Sequence, residues 1–268
     1  MRIGYFVVLA FLWASPGRAD TGFLDRKVML NGQTYAYQVY VPADYTSAKA
    51  WPVIVNLHGN GSQGTDALLP TVRGVADEIR QHRDRFPVIA VMPQCEMGKR
   101  WLYPDMEELV MKELDATVRE FHVDPARIYL TGFSMGATGA YRIAAKWPER
   151  FAALLAVAGR VEPASTYSPQ DIQADQKANT FVAAADPFAA LALRIKTLPM
   201  WIAHGDADET VPVEQSRRLV PALKKTGADV RYTEIAGASH VGGADKTYGD
   251  RAVFEWLLAQ RRAPKGSQ

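Results

Sequence analysis

The stretch that decides the fold of this 268-residue chain is Tyr129-Leu130-Thr131-Gly132-Phe133-Ser134-Met135-Gly136-Ala137. It has the form Gly-x-Ser-x-Gly. Residues 127–131 form a short apolar run with β-branched and aromatic side chains, which predicts a strand. Residues 135–147 are rich in alanine and contain no proline, which predicts a helix. The pattern therefore predicts a strand, a tight turn and a helix, with Ser134 at the turn.

A serine at such a turn is well placed for nucleophilic chemistry. Its hydroxyl reacts only when a base removes the proton and hydrogen-bond donors hold the negative oxygen that forms. A sharp turn lifts the side chain above the sheet, Gly132 and Gly136 leave room for the tight backbone, and the helix start offers free N–H groups. We therefore predict that Ser134 is a nucleophile. The alternative is an ordinary glycine-serine loop before a helix.

Strands and helices alternate along most of the chain. Apolar runs typical of buried strands occupy residues 52–57, 86–92, 151–158, 199–203 and 230–235. Helices are predicted over 68–83, 105–121, 135–147, 188–196, 213–226 and 248–262. Asn31-Gly32 predicts a hairpin at the start of the sheet. This order predicts an α/β fold with a mostly parallel, twisted sheet and helices on both faces.

The beginning of the chain has the pattern of an export signal. Met1-Arg2 is positive, residues 3–14 are almost wholly apolar, and residues 17–19 are small residues around an arginine. We predict a signal peptide over residues 1–19, hence a secreted or periplasmic protein; an uncleaved membrane anchor is the alternative. Residues 20–268 are predicted to form a single catalytic domain. Within it, the mixed segment 160–186 is predicted to leave the sheet and to form a small cap over the site.

Charge and cysteine content restrict the classes of partner. The formal net charge of +2 becomes zero without residues 1–19, because that segment holds two arginines and no acids. We therefore expect no nucleic-acid partner, and no stable membrane anchor once the segment is removed. Cys95 is the only cysteine, so no internal disulfide can form. With no basic group beside it, Cys95 is predicted to be a buried structural thiol.

One histidine is placed to serve as the base. Loops at the carboxyl ends of parallel strands meet at one edge of the sheet, and His240 lies in the loop after the last predicted strand. We predict that His240 reaches Ser134. The other histidines receive structural roles: turn-shaping hydrogen bonds for His58 and His204, a solvated helix position for His82, and a helix end for His122.

A carboxylate must fix the tautomer of that histidine and stabilise the imidazolium. Asp206 and Asp208 both follow a predicted strand. Asp208 is preferred because the chain turns directly after it toward the next helix, whereas Asp206 follows Gly205 and suits a turn cap. The chain order is then serine, aspartate, histidine.

The remaining parts of the site are predicted as follows. The backbone N–H groups of Met135 and Asn60 are expected to form the oxyanion hole. Trp101 is selected as the substrate-binding residue from several candidates: Met97, Trp101, Tyr103, Phe133 and Trp201. No cluster has metal-ligand spacing, and the loop at residues 59–64 lacks the lysine of a phosphate-binding loop, so we predict no metal and no cofactor.

Taken together, these motifs resemble those of a secreted member of the α/β-hydrolase family. The matching blocks are Leu57-His58-Gly59-Asn60-Gly61, Gly132-Phe133-Ser134-Met135-Gly136, His204-Gly205-Asp206-Ala207-Asp208 and Gly237-Ala238-Ser239-His240. Further blocks, Met92-Pro93-Gln94-Cys95 with Trp101 and Val123-Asp124-Pro125-Ala126-Arg127-Ile128-Tyr129, resemble the branch of secreted esterases or predicted peptidases related to feruloyl esterases and polyhydroxybutyrate depolymerases. Residues 60–64 lack the charged residues frequent there in this branch, and the disulfides of many depolymerases are missing.

The resemblance implies hydrolysis of a small-molecule or polymeric carboxylic ester through an acyl-enzyme, with Ser134, His240 and Asp208 as a triad. A serine peptidase of the same fold is the main alternative. We expect no propeller-like domain that would select peptides, which favours the esterase. A non-catalytic binding module is the third alternative, and it fits less well because all three triad positions are filled.

Overall fold

The computed structural model describes residues 20–262 of the chain. They begin with a hairpin of strands β1 (Gly22–Leu30) and β2 (Gln33–Val41), paired antiparallel through all nine residues. The turn between them is Asn31-Gly32, and both residues have positive φ, 51° and 81°. Such a turn matches the twist of the flanking strands, and its sequence is the one that tolerates this backbone. The predicted hairpin is confirmed.

The described residues form one eight-stranded sheet in the order β1-β2-β4-β3-β5-β6-β7-β8. Its other strands are β3 (Trp51–Leu57), β4 (Ile89–Met92), β5 (Val123–Phe133), β6 (Ala153–Val157), β7 (Met200–Gly205) and β8 (Val230–Ile235). From β3 to β8 the neighbouring strands are parallel, and β2 joins β4 antiparallel. The carboxyl ends of the parallel strands therefore lie along one edge, as predicted.

Helices cover both faces of this sheet, which is also as predicted. They are α1 (Val75–Gln81), α2 (Pro104–Glu120), α3 (Met135–Lys146), α4 (Pro169–Ala178), α5 (Pro187–Ile195), α6 (Glu214–Lys225), α7 (His240–Gly249) and α8 (Arg251–Ala259). Alternate residues of β3 serve the two faces: Val53 and Val55 pack in the core with α2, α3, α5 and α6, and Ile54 packs in the core with α1, α7 and α8. This two-sided burial explains why the central strands are apolar throughout.

Two predicted helices have different bounds in the structure. The helix expected over 68–83 is reduced to α1, because Leu69–Thr71 forms a 3-10 turn around Pro70 and Gly74 adopts φ 67°. The helix expected over 248–262 is shortened to α8, whose N-terminus is capped by the Asp250 side chain, and a separate helix, α7, precedes it where a loop was predicted. His240 is consequently the first residue of α7, rather than part of a flexible loop as predicted.

The segment 160–186 lies against two helices of the main domain. Arg142 of α3 and Asp175 of α4 form a completely buried ion pair, with two hydrogen bonds of 2.7 and 3.1 Å. Asn179 donates to the buried carboxylate of Glu107 on α2 at 2.8 Å, and Lys146 reaches the same carboxylate at 2.7 Å. The segment is therefore fixed to α2 and α3 by buried polar contacts.

Glu113 of α2 makes the free energy of unfolding depend on pH. Its side chain is 0% exposed, and neither oxygen has a hydrogen-bond partner among the described residues. Burial raises the pKa of this carboxyl well above its usual value. Since the folded state holds the proton more tightly, the carboxyl favours folding at low pH, and that contribution is lost as pH rises above about 4.5 toward the folded pKa.

We expect Glu113→Met to be more stable than the wild type at neutral pH, because it removes an ionisable group from the core. The difference should grow by about 1.4 kcal/mol for each pH unit between the unfolded and folded pKa values. Urea unfolding of both proteins between pH 4.5 and pH 8 measures it. Parallel stability curves across this range would show that Glu113 ionises freely in the folded state.

Candidate active site

Ser134 stands at the turn between β5 and α3. Its backbone has φ 57° and ψ −116°, a strained conformation for a residue with a side chain. The turn is this tight because two glycines remove side chains: a Cβ on Gly136 would lie 1.9 Å from the Leu57 carbonyl oxygen, and one on Gly132 would lie 2.4 Å from the Gly136 backbone. The strand, turn and helix predicted around Ser134 are present, with the hydroxyl held at the sheet edge.

His240 lies across this edge from Ser134. Its Nε2 is 2.8 Å from Ser134 Oγ, and its Nδ1 is 2.6 Å from Asp208 Oδ2. His240 is 8% exposed, and its ring packs beside Phe133 with ring centroids 4.6 Å apart. Ser239 caps the first turn of α7, which fixes the backbone on which the imidazole stands. Three side chains separated by up to 106 residues thus form one continuous hydrogen-bonded chain.

Asp208 is held as a carboxylate by four donors. Oδ1 accepts the backbone N–H groups of Thr210 and Val211, each at 2.8 Å, and Oδ2 faces His240 and His204. Burial alone would raise the pKa of this carboxyl, but the hydrogen bonds from His204, His240 and the two amides outweigh it and lower the pKa. An ionised Asp208 cannot donate, so His240 Nδ1 carries a hydrogen and Nε2 is free to accept the Ser134 proton.

The structure separates the two aspartate candidates. Asp206 Oδ1 accepts the backbone N–H of Gly237 at 2.6 Å and thereby closes the turn between β8 and α7. Asp208 alone of the two faces His240. Sequence reasoning missed the second histidine on Asp208: His204, predicted only to shape a turn, lies 3.2 Å from Asp208 Oδ2. The only signal was its position four residues before Asp208.

The loop after β3 is tied down by His58. Its Nδ1 donates to the Gly59 carbonyl at 2.6 Å, and its Nε2 accepts the Cys95 backbone N–H at 3.0 Å. Burial lowers the pKa of His58 to about 4, so the ring is neutral at neutral pH. This is the turn-shaping role that we predicted. Asn60 follows in a 3-10 turn and lines the cavity beside Ser134.

Met135 is the first residue of α3, so its N–H has no acceptor within the helix. Its side chain is buried at the sheet edge, directly after Ser134. The use of the Asn60 and Met135 N–H groups as an oxyanion hole stays a prediction.

Trp101 does not line the cavity beside Ser134, which corrects our prediction of a substrate-binding role. Its side chain is 0% exposed and packs against Gly139 of α3, and its Nε1 donates to the His58 carbonyl at 3.0 Å. The residue supports the loop from behind. Of the aromatic candidates, Phe133 lines the cavity beside Ser134, together with Tyr248, which had not been considered.

A cavity of about 390 Å³ opens beside the Ser134 hydroxyl. Its wall is mainly apolar and includes Leu57, Leu69, Phe133, Val241 and Tyr248. All residues of 160–186 are described, and none of them lines it. The predicted cap over the site is therefore not present: the segment packs on α2 and α3 instead.

Residues 20–262 contain no group of three or more histidine, cysteine, aspartate or glutamate side chains arranged to hold a metal ion. None of the helices formed by these residues has the length and hydrophobicity to cross a bilayer. The signal peptide predicted for residues 1–19 lies outside the described residues.

Comparison with known families decides the classification. The sequence profile of the prolyl oligopeptidase family matches residues 100–262, more than half of the chain, and this range includes Ser134, Asp208 and His240. The chain belongs to the prolyl oligopeptidase family. Its sheet order and the strand-turn-helix at Ser134 are those of the α/β-hydrolase fold, so the predicted fold is confirmed.

Several individual proteins and structures are similar to this family member. A crystal structure of a thermostable esterase is 28% identical with a TM-score of 0.72, over 90% of this chain and 63% of that one. A protein of Nocardia uniformis subsp. tsuyamanensis named "Putative esterase NocK" is 28% identical over 163 residues, 53% of this chain and 43% of its own length. An "Uncharacterized secreted protein" of Arthroderma benhamiae is 25% identical over 198 residues, 70% of this chain and 21% of its own. The chain thus spans less than half the length of both named relatives.

Proposed function

We propose that this protein is a serine hydrolase that cleaves carboxylic esters through an acyl-enzyme. The observation that carries the proposal is the hydrogen-bonded chain from Ser134 through His240 to Asp208, with its hydroxyl end open to an apolar cavity. The esterase names of one similar solved structure and of one relative support an ester over a peptide. The name of the family supports the peptidase as the second candidate.

The geometry fits acyl transfer in two steps. Ser134 Oγ attacks the ester carbonyl carbon while His240 Nε2 takes its proton, and the N–H groups of Met135 and Asn60 hold the oxyanion. Collapse of this intermediate expels the alcohol, which leaves with the proton from His240. A water molecule then gives a proton to His240 and attacks the acyl group, and the acid departs as Ser134 recovers its hydrogen. Asp208 stays ionised throughout and stabilises the imidazolium.

Two measurements test this proposal. A fluorophosphonate probe should label the protein at Ser134, as located by peptide mapping, because only an activated serine attacks it. A panel of nitrophenyl esters of increasing acyl length should be hydrolysed faster than a matched panel of aminoacyl nitroanilides. Labelling with faster anilide cleavage would establish the peptidase instead. Absence of labelling together with absence of turnover would leave only a binding module.

The cavity wall also predicts a charge preference. Arg73 lines it and forms no ion pair or hydrogen bond with a described residue, and Asp245 lines it as well. For an ester whose acyl chain ends in a carboxylate, we expect Arg73→Gln to raise KM by about 2- to 5-fold, since an exposed ion pair is worth up to about 1 kcal/mol. KM for the neutral ester of equal length should hardly change.

Asp245→Asn is the matched control for this prediction. It removes the opposite charge from the same wall, so KM for the anionic ester should fall. If Arg73→Gln changed the KM of both esters equally, the residue would contribute only shape to the cavity.

Export is proposed on two grounds. The pattern of residues 1–19 is that of a signal peptide. A distant relative, 25% identical, carries the name of a secreted protein. We also propose that the substrate is a small-molecule or polymeric ester, because the catalytic geometry and the esterase relatives support ester hydrolysis. No nucleic-acid partner is proposed.

A further inference from the structure

We propose that His204 is a positioning residue for the reaction, which holds Asp208 in place and sets the basicity of His240. The inference rests on the proposed function, because it concerns the same three side chains. His204 itself does not line the cavity and cannot touch a substrate there. It must therefore act through Asp208.

The hydrogen bonds of His204 define how its ring is protonated. The residue lies in β7 and is 0% exposed. Its Nε2 is 2.9 Å from the Val211 carbonyl oxygen and 3.2 Å from Asp208 Oδ2. Neither a carbonyl nor an ionised carboxylate can donate, so Nε2 carries the hydrogen. It donates to the Val211 carbonyl, and the same N–H also lies beside Asp208 Oδ2. Ser216 Oγ lies 2.8 Å from Nδ1, and its hydroxyl donates there in the neutral ring.

These contacts connect the carboxylate to the rigid part of the fold. Asp208 stands on a loop, whereas His204 belongs to β7, a strand paired on both sides, and Ser216 belongs to α6. Oδ2 receives the N–H of His240 on the substrate side, and Nε2 of His204 lies 3.2 Å from it on the core side. The two imidazoles, with the two backbone amides on Oδ1, thus hold the carboxylate through both of its oxygens.

The second donor also affects proton transfer. A hydrogen bond from His204 spreads part of the Asp208 charge, so less of it acts on the imidazolium of His240. Removing this donor should strengthen the attraction between Asp208 and the imidazolium that forms at His240 during the reaction, and the acid limb of the pH-rate profile should report the change. The other charged groups around the two rings are Glu209, Glu234, Asp245 and Arg73, and all are unchanged in the variants below.

The test compares His204→Gln with His204→Met, two side chains of equal length of which only glutamine can donate a hydrogen bond. The concentration of active enzyme is first determined by fluorophosphonate titration, so that a folding defect does not count as a loss of rate. We expect kcat per titrated site to fall by about 10- to 100-fold in His204→Met, the range known for groups that orient metal-binding histidines. The acid limb of kcat/KM should move to higher pH by about 0.5. His204→Gln should keep the wild-type limb and most of the rate.

A spectroscopic measurement supports the kinetics. The proton between His240 Nδ1 and Asp208 should give a low-field ¹H NMR resonance, and its shift should change in His204→Met but not in His204→Gln. Equal behaviour of the two variants, or a wild-type rate and pH profile in His204→Met, would overturn the proposal. If His204→Met does not fold, Ser216→Ala replaces it. Loss of its hydroxyl frees the ring, so the same limb should move in the same direction by a smaller amount, and an unchanged limb would overturn the proposal equally.

Failure of this inference is distinguishable from failure of the proposed function. If Ser134 is not the nucleophile, the fluorophosphonate does not label the wild type at that residue, and the proposed function itself fails. If Ser134 is labelled and His204→Met has wild-type kinetics, only the role of His204 is wrong.

Discussion

Ser134→Ala is expected to lower kcat by about 10⁶-fold, the loss measured when the serine of a comparable triad is removed. The reason is visible in the geometry: His240 Nε2 has one hydroxyl within hydrogen-bond distance, and Asp208 stabilises the charge that arises when that proton moves. Without the hydroxyl, only binding and the oxyanion donors remain. Initial rates with a short nitrophenyl ester measure the effect, and fluorophosphonate labelling should disappear with the activity.

The matched control is Ser165→Ala, an exposed serine in the 160–186 segment that does not line the cavity. Its rate should equal that of the wild type. Circular dichroism and thermal unfolding must show that Ser134→Ala is folded; replacing a residue at φ 57° leaves the strained backbone in place, so we expect no gain in stability. A folded Ser134→Ala protein with full ester turnover would refute the nucleophile assignment.

Asp175→Ala is expected to lower the free energy of unfolding by about 3–5 kcal/mol, the largest effect on stability that we anticipate from a single substitution. The five N–H groups of Arg142 each have an acceptor: the two Asp175 oxygens and the carbonyl groups of Thr138, Arg160 and Val161. Both charged side chains are 0% exposed. Removing the carboxylate leaves a buried guanidinium without its counter-charge. Urea unfolding followed by fluorescence measures the change.

Glu255→Ala serves as the control for this experiment. It removes an ion pair with Arg251 whose side chains are 61% and 71% exposed, so the free energy of unfolding should change by less than about 1 kcal/mol. If Asp175→Ala changed stability no more than Glu255→Ala, the pair could not be the contact that holds the 160–186 segment on α3.

Much of this fold was predictable because its signals are local. Gly132 and Gly136 leave room for a serine that lies between an apolar strand and an alanine-rich helix, and each central strand is an uninterrupted apolar run. Ser134 and His240 each follow a predicted strand, and the carboxyl ends of parallel strands lie at one edge of the sheet. Their proximity could therefore be predicted. Local chemistry also separated Asp206 from Asp208, since only one of them follows Gly205 directly.

What could not be predicted depends on contacts between distant segments. The sequence around a tryptophan that follows a strand does not distinguish a cavity-lining role from a role in supporting a loop. Only the hydrogen bond from Trp101 to the His58 carbonyl shows that this tryptophan supports a loop. The segment 160–186 contains polar residues that would equally suit a cap, and the buried partner of Asp175 lies 33 residues away. The second imidazole beside Asp208 belongs to a histidine, His204, whose sequence context indicates only a turn.

The single thiol of the chain has a practical consequence. Cys95 is buried, and burial raises its pKa, so at neutral pH it offers neither the access nor the thiolate that alkylating reagents require. Any cysteine introduced at the surface would therefore be the reactive one, without prior removal of the native residue. A fluorophore or spin label placed on α4 and another near Val241 could then report, in solution, whether the distance between them changes when the serine is acylated.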